Sequence, residues 1–419
     1  MPRFMARFAV AWVIACCAVQ MRAEVISTHC LETEVILDPV HSVSKLDRCG
    51  DDLDEALLWY LDRIDQIGST LDGYVDRGNG GSGSVIYVMD TGVMASHNEF
   101  AATAGSRIGS RVIGGYDATG SVGIGRSRCA SADKATAPCY DNFDELASAS
   151  HGTAVASIAA GRNIGVAPSA MVVSIRVMNE RGLATTRNYL EGMDAIIRHA
   201  WDPASPSFRT AVVNISGWVL ERLANLPGDP VPYRAVEQKM RDMIGGVDIN
   251  GNPDPSGKHF LFVVAANNVD SGCGPSGIID RFPALLGRTT EGIITVGGMT
   301  AGNTSWSGTC RGGVEVLAPA QSIFSATITA PDEYRGRRPN QRSGTSFAAP
   351  IISGIAARLL SDRPDLTPQQ LEAWITATPS RVYDATAPLA DGKVAYVRSI
   401  APATAITAGT GQVRAAHQP

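Results

Sequence analysis

The sequence has no excess of positive charge: 36 Lys and Arg stand against 41 Asp and Glu, a formal net charge of −5. That balance gives no general electrostatic footprint for nucleic acid. Beyond the first residues there is no apolar run of membrane length, so no transmembrane span is expected in the mature chain. No two cysteines stand at CxxC spacing, which argues against a structural zinc site. There is no internal repeat. Collagen and coiled coil are excluded, and the 43 glycines and 23 prolines read as many turns rather than low complexity. What is present is ordinary for a globular protein: 44% hydrophobic and 18% charged residues, too apolar for a mostly disordered chain. The length of 419 residues allows one large domain or two medium ones.

Met1 to Ala23 reads as a secretory signal, with Arg3 and Arg7 ahead of the apolar stretch Phe8 to Val19. Val13-Ile14-Ala15-Cys16 offers a rival lipobox that would leave a lipid on Cys16. The match is short, so a secreted or periplasmic protein is the preferred expectation. Cys16 and Cys17 go with the leader, leaving Cys30, Cys49, Cys129, Cys139, Cys273 and Cys310. An even count behind a signal segment favours disulfides. Proximity in sequence suggests Cys30–Cys49, Cys129–Cys139 and Cys273–Cys310, but the sequence alone does not choose among the pairings.

Regular patterning starts near Leu57. Ser84 to Met89 is a continuous apolar run after a Gly-rich turn, as suits a strand covered on both faces. Similar runs recur at Met171–Val177, Ala211–Ile215, Phe260–Ala266 and Ile293–Val296. Between them lie helical patterns. Leu190, Met193, Ile196, Ile197 and Ala200 share one face, and Phe347, Ile351, Ile355 and Leu359 recur every four residues. This alternation predicts an α/β domain, a mostly parallel central sheet with helices on both faces. Residues 219–258 and 327–342 read as loop-rich insertions, and 401–419 as a loose tail.

Three segments carry candidate chemistry. Asp90-Thr91-Gly92 follows the first strong strand, and ligand sites of open parallel sheets form outside strand carboxyl ends. His151-Gly152-Thr153 opens a small-residue helix, and Gly344-Thr345-Ser346 opens the apolar helix that contains Pro350. Singly, each is better explained as a turn or cap residue. Together they supply a hydroxyl, an imidazole to take its proton and a carboxylate to orient the imidazole. A helix N-terminus adds a positive dipole end and a free N–H. Val263 to Asn268 is a strand ending in two carboxamides, one of which could donate to a developing oxyanion.

In this order the segments resemble the subtilisin-like serine peptidases. The matching text is Val85 to Val93, His151 to Ala156, Gly165 to Ala170, Val213 to Gly217, Ala265 to Asn268 and Gly344 to Pro350. Leu61 to Gln66, Leu71-Asp72-Gly73 and Gly192-Met193-Asp194 resemble the proteinase K and aqualysin branch, as does a Cys273–Cys310 pair. The resemblance implies a triad of Asp90, His151 and Ser346, with Asn268 as oxyanion donor. It implies substrate pairing along Ser216-Gly217-Trp218 and a pocket wall at Ala265-Ala266-Asn267. The implied plan is a signal at 1–23, a short segment or reduced propeptide at 24–55, a peptidase domain at 56–400 and a tail at 401–419.

There are departures from the family pattern. Ala154 stands where the branch has a second, non-catalytic His. Asn267 replaces a Gly, which would narrow or polarise the pocket. The stretch between Asp90 and His151 is long for the branch and holds Cys129 and Cys139. Residues 24–55 are few for a chaperone-like propeptide. No cofactor is needed for the chemistry. The resemblance leaves structural calcium open, with Glu315 and the loop at Pro283 as candidate ligands. The expectation is a monomeric, exported endopeptidase acting on polypeptides. A catalytically inactive binding protein is the rival suggested by Asn267 and the short leader, although no triad residue is lost. A processing peptidase or transpeptidase serving one partner would share the same site.

Overall fold

The computed structural model describes residues 43–45, 58–65, 71, 74–76, 78–102, 109–119, 150–179, 182–219, 233–247, 250–254, 257–270, 272–274, 277–328, 334–335 and 342–377. The leader, Cys16, the Cys30–Cys49 and Cys129–Cys139 pairs and the tail lie outside the described residues.

Eleven strands are described. β1 (Val43–Lys45) pairs antiparallel with β2 (Tyr74–Asp76). The central strands are β3 (Val85–Asp90), β4 (Val112–Asp117), β5 (Met171–Arg176), β6 (Thr210–Ile215), β7 (His259–Ala265), β8 (Ile293–Met299) and β9 (Val316–Pro319). They form one seven-stranded sheet in the order β4-β5-β3-β6-β7-β8-β9. Every neighbouring pair in it is parallel. β10 (Ser325–Ala326) and β11 (Tyr334–Arg335) form a small antiparallel ladder. The helices are α1 (Trp59–Ile64), α2 (His151–Ala160), α3 (Thr186–Trp201), α4 (Tyr233–Gly245), α5 (Thr345–Asp362) and α6 (Pro368–Thr376).

The unbroken apolar strands have a direct cause. In β3, Ile86 and Val88 join a core with Val155, Ile158, Ile351 and Ile355 of α2 and α5. Val85, Tyr87 and Met89 join a second core with Met193, Ile196, Val236 and Met240 of α3 and α4. Successive side chains point to opposite faces, so a strand with helices on both sides is apolar at most positions rather than at every second one.

The 219–258 region corrects its expectation. It contains α4, whose Val236, Met240, Met243 and Ile244 are buried at helical spacing. The dense charges between them (Arg234, Glu237, Lys239, Arg241, Asp242) are the polar part of an amphipathic helix rather than a sign of loop. Residues 334–335, within the second expected loop, form β11, and Tyr334 reaches into the interior.

There it meets Glu99, which is fully buried. The Glu99 carboxylate accepts from Asn163 N (2.9 Å), Asn163 Nδ2 (3.0 Å), Ile164 N (3.2 Å) and Tyr334 Oη (2.7 Å). A buried carboxylate is tolerated when its lone pairs are filled in this way. Glu99→Ala removes the acceptor of four hydrogen bonds and is expected to lower unfolding stability by about 2–4 kcal/mol. Tyr334→Phe should cost about 1 kcal/mol. Denaturant titrations of the two variants check this; equal midpoints would contradict it.

Candidate active site

The connection leaving β3 runs toward β4 and β5, whereas β6 leads on to β7, so the strand order reverses between adjacent β3 and β6. Crevices outside the carboxyl ends of strands at such a point are where open α/β sheets bind ligands. Asp90 ends β3, and Ser216 follows β6 directly.

The loop after β3 and the start of α2 are joined by their own short motifs. Gly152 N donates to Thr91 Oγ1 (2.9 Å), and Met94 N donates to Thr153 Oγ1 (2.9 Å). A Cβ on Gly152 would lie 2.1 Å from Gly92 O, so only glycine lets the segments approach this closely. Asp90 is fully buried, and its Oδ1 accepts from Thr91 N (2.7 Å). His151 Nδ1 lies 2.8 Å from Asp90 Oδ1 and 3.0 Å from Oδ2. A carboxylate only accepts, so Nδ1 carries the proton and the Nε2 lone pair is left for other work. Tyr189, fully buried, is held protonated by burial and by the Asp90 charge, which raise its phenol.

Ser346 is the second residue of α5. Pro350, four residues on, has no N–H, so it cannot bond the Ser346 carbonyl as the helix would require. That carbonyl accepts from Ser216 Oγ instead (2.8 Å). In return Ser346 Oγ donates to Ser216 O (3.1 Å). Ser216 is itself oriented: Asn214 Nδ2 donates to Ser216 Oγ (2.9 Å), and Ser353 Oγ donates to Asn214 Oδ1 (2.9 Å). The His151 ring lies 5.6 Å, centroid to centroid, from that of Phe347, next to Ser346. Asp90 and His151 thus meet directly, and the ring of the residue after Ser346 lies beside the imidazole. The hydroxyl is turned to Ser216 rather than to the imidazole. Asn214 and Ser353 were missed by the sequence reading. The signal for Asn214 was one polar residue in an apolar strand.

Asn268 Oδ1 accepts from Thr345 N (3.0 Å) and Thr345 Oγ1 (3.1 Å). A main-chain N–H can only donate, so it fixes the carboxamide with oxygen toward Thr345. Nδ2 is turned to the side of Gly344, 3.3 Å from where a Cβ there would sit. The preceding Asn267 has φ 71°. Glycine is the usual occupant of this left-handed region, and Asn is among the few side chains that tolerate it. The chain path a glycine would give is therefore kept while a carboxamide is added.

Ser216, Gly217 and Trp218 lie beyond β6, and Ala265, Ala266 and Asn267 lie at the end of adjacent β7. A Cβ on Gly217 would fall 1.9 Å from the terminal methyl of Met178, so Met178 fills the space a side chain would take. Cys273 and Cys310 form the expected disulfide.

The two calcium candidates are engaged within the protein. Pro283 O accepts from Leu286 N (2.9 Å). Glu315 Oε2 accepts from Thr295 N (2.9 Å). Glu315 also shares a hydrogen bond with Glu372, whose carboxyl accepts from Gly292 N. Two carboxyl groups in hydrogen-bond contact hold a proton between them. Among the described residues no group of three or more His, Cys, Asp or Glu side chains gathers as a metal site. No helix among them is long and apolar enough to cross a membrane.

The chain belongs to the subtilase family, whose family model matches residues 81–396. It is 31% identical to the extracellular serine proteinase of Thermus sp. strain Rt41A, over 78% of this chain and 63% of that protein. It is 29% identical to alkaline serine exoprotease A of Vibrio alginolyticus, over 77% of this chain and 47% of that one. The chain thus spans between about half and two thirds of the length of these relatives. Among solved structures it is similar to a cold adapted subtilisin-like serine proteinase. That match has 26% identity and a TM-score of 0.55, over 82% of this chain and 98% of the other.

The Glu315–Glu372 contact makes stability depend on pH. Burial, with the Glu291 charge adding, pushes Glu372 from 4.5 up to about 7, against opposing hydrogen bonds from Gly292 and Glu315. A carboxyl raised on folding contributes stability below its unfolded value and loses it as pH rises through its folded value. The folded protein should therefore lose stability as pH rises from about 4.5 to about 7 through this group. Glu372→Gln keeps a donor but removes the titration. Melting curves across that range should show a shallower decline for the variant; parallel declines would contradict it.

Proposed function

We propose that this chain is an exported, monomeric serine endopeptidase of the branch resembling proteinase K and aqualysin, hydrolysing peptide bonds through an acyl-enzyme. The observation that carries the reading is the pairing of buried Asp90 with partly exposed His151 beside the N-terminus of α5, where Ser346 stands. Ser346 Oγ attacks the carbonyl as His151 Nε2 takes its proton. That proton passes to the leaving amine, and water then releases the acyl group by the reverse steps. Asp90 holds the imidazole in its Nδ1–H form and stabilises the cation. Asn268 Nδ2 and the Ser346 main-chain N–H receive the oxyanion.

In the free protein Ser346 Oγ rests on Ser216 O, and a turn about its Cα–Cβ bond redirects it. Catalytic hydrogen bonds often form only when substrate is in place. Substrate would lie along Ser216–Trp218 as an added strand. In support, among the described residues the main-chain groups of Gly217 and Trp218 make no hydrogen bonds. Export is supported by the leader and by the likeness to the extracellular serine proteinase of Thermus. The chemistry proposed needs no cofactor.

Ser346→Ala should abolish both turnover of a peptide substrate and labelling by a fluorophosphonate. Persistent labelling of that variant would identify another nucleophile and overturn the assignment. Asn268→Leu should lower kcat by about 10²–10³-fold with little change in KM. A steady-state comparison in which only KM moved would remove Asn268 from the oxyanion site.

A further inference from the structure

Beyond the ends of β6 and β7 the main chain closes a ring. Val219 N donates to Phe282 O (2.7 Å) and Phe282 N to Val219 O (3.3 Å). Ile279 N donates to Arg311 O (2.8 Å), and Cys310 N donates to Asn267 O (3.1 Å). The pairing of Ile215 with Val264 completes the circuit, and the Cys273–Cys310 disulfide braces it. The ring adjoins Ser346 through Ser216 and Asn268 through Asn267. Under the peptidase reading, on which this inference rests, it lies where the side chain of the residue supplying the attacked carbonyl (P1) must go.

The side chains that the ring carries are unusual for their hydrogen bonds. Arg281 lies 5.1 Å from the Trp218 ring centroid, a cation on an aromatic face. Its side chain is 14% exposed and that of its ion-pair partner Asp280 is 38% exposed, with Nε 3.3 Å from Asp280 Oδ1. Among the described residues the guanidinium makes no hydrogen bond, and its Nε is buried without one. Asn267, 3% exposed, likewise has a buried Nδ2 with no partner. Arg281 is thus held by an ion pair rather than by aligned hydrogen bonds, and an entering acceptor supplies the hydrogen bonds that it and Asn267 Nδ2 lack. Arginine matches a carboxylate in both charge and planar geometry.

We propose that this ring selects an acidic P1 side chain, with Arg281 supplying the cation and Asn267 a second, neutral donor. The test is kcat/KM on peptides that differ only at P1: Glu, Asp, Gln, Leu and Lys. The wild type should favour Glu or Asp over Leu by about tenfold or more, with Lys poorest. Arg281→Gln should lower the acidic-P1 rates by about 10- to 100-fold and leave Gln and Leu nearly unchanged, and Arg281→Lys should recover part of the loss. Asn267→Gly, which keeps the backbone path, should weaken Glu and Gln by roughly 3- to 10-fold more than it weakens Leu. Fluorophosphonate labelling of each variant reports an intact nucleophile independently of P1. The inference is overturned if the wild type cleaves best after Leu or Lys. It is equally overturned if Arg281→Gln depresses all P1 peptides together while labelling persists. A wild type that is neither labelled nor active would instead remove the peptidase reading, and this inference with it.

Discussion

The site depends on one missing hydrogen bond. Pro350 deprives the Ser346 carbonyl of its helical donor, and a buried carbonyl must find another. Ser216 Oγ meets that need, so the first turn of α5 is fastened to the end of β6 rather than only to itself. The fastening continues through Asn214 to Ser353, one helical stretch further along α5. A proline that would otherwise weaken the helix thereby fixes where its N-terminus lies against the sheet. The register of Ser346 relative to Asp90 and His151 follows from that placement.

The fold was largely legible because covering both faces of a sheet leaves a local mark. The strands at 85–90, 171–176, 210–215, 259–265 and 293–299 are predominantly apolar runs without period-two alternation, and the helices between them alternate at the expected period. The meeting of Asp90 with His151 was also legible, since the short motifs Asp90-Thr91-Gly92 and His151-Gly152-Thr153 bond to one another directly. α4 escaped because charged residues crowd its exposed side, although its four buried positions keep helical spacing. The stacking of Arg281 on Trp218 and the shared proton of Glu315 and Glu372 leave no local mark at all. Each joins residues brought together only after the sheet is built.

Asn267 illustrates how a departure from a family pattern can conserve geometry. The backbone enters the left-handed region there, and the next residue is turned so that its carboxamide meets Thr345. Asn268 is thus placed by two constraints, the turn before it and the anchor across from it. The anchor satisfies only the oxygen, which leaves the amide group for other partners.

The two cores of the sheet divide the molecule by task. Asp90, His151 and Ser346 stand on the layer built from α2 and α5, whereas Val219, Ile279, Phe282 and Cys310 pack with α3 and α4. These three residues and the ring beside them therefore rest on separately packed foundations, with the sheet as a partition. Packing changes confined to one foundation disturb the other weakly, because distant, unshared contacts act nearly independently. Such an arrangement lets the enclosure be remodelled while the Asp90–His151 pair and the start of α5 stay in place.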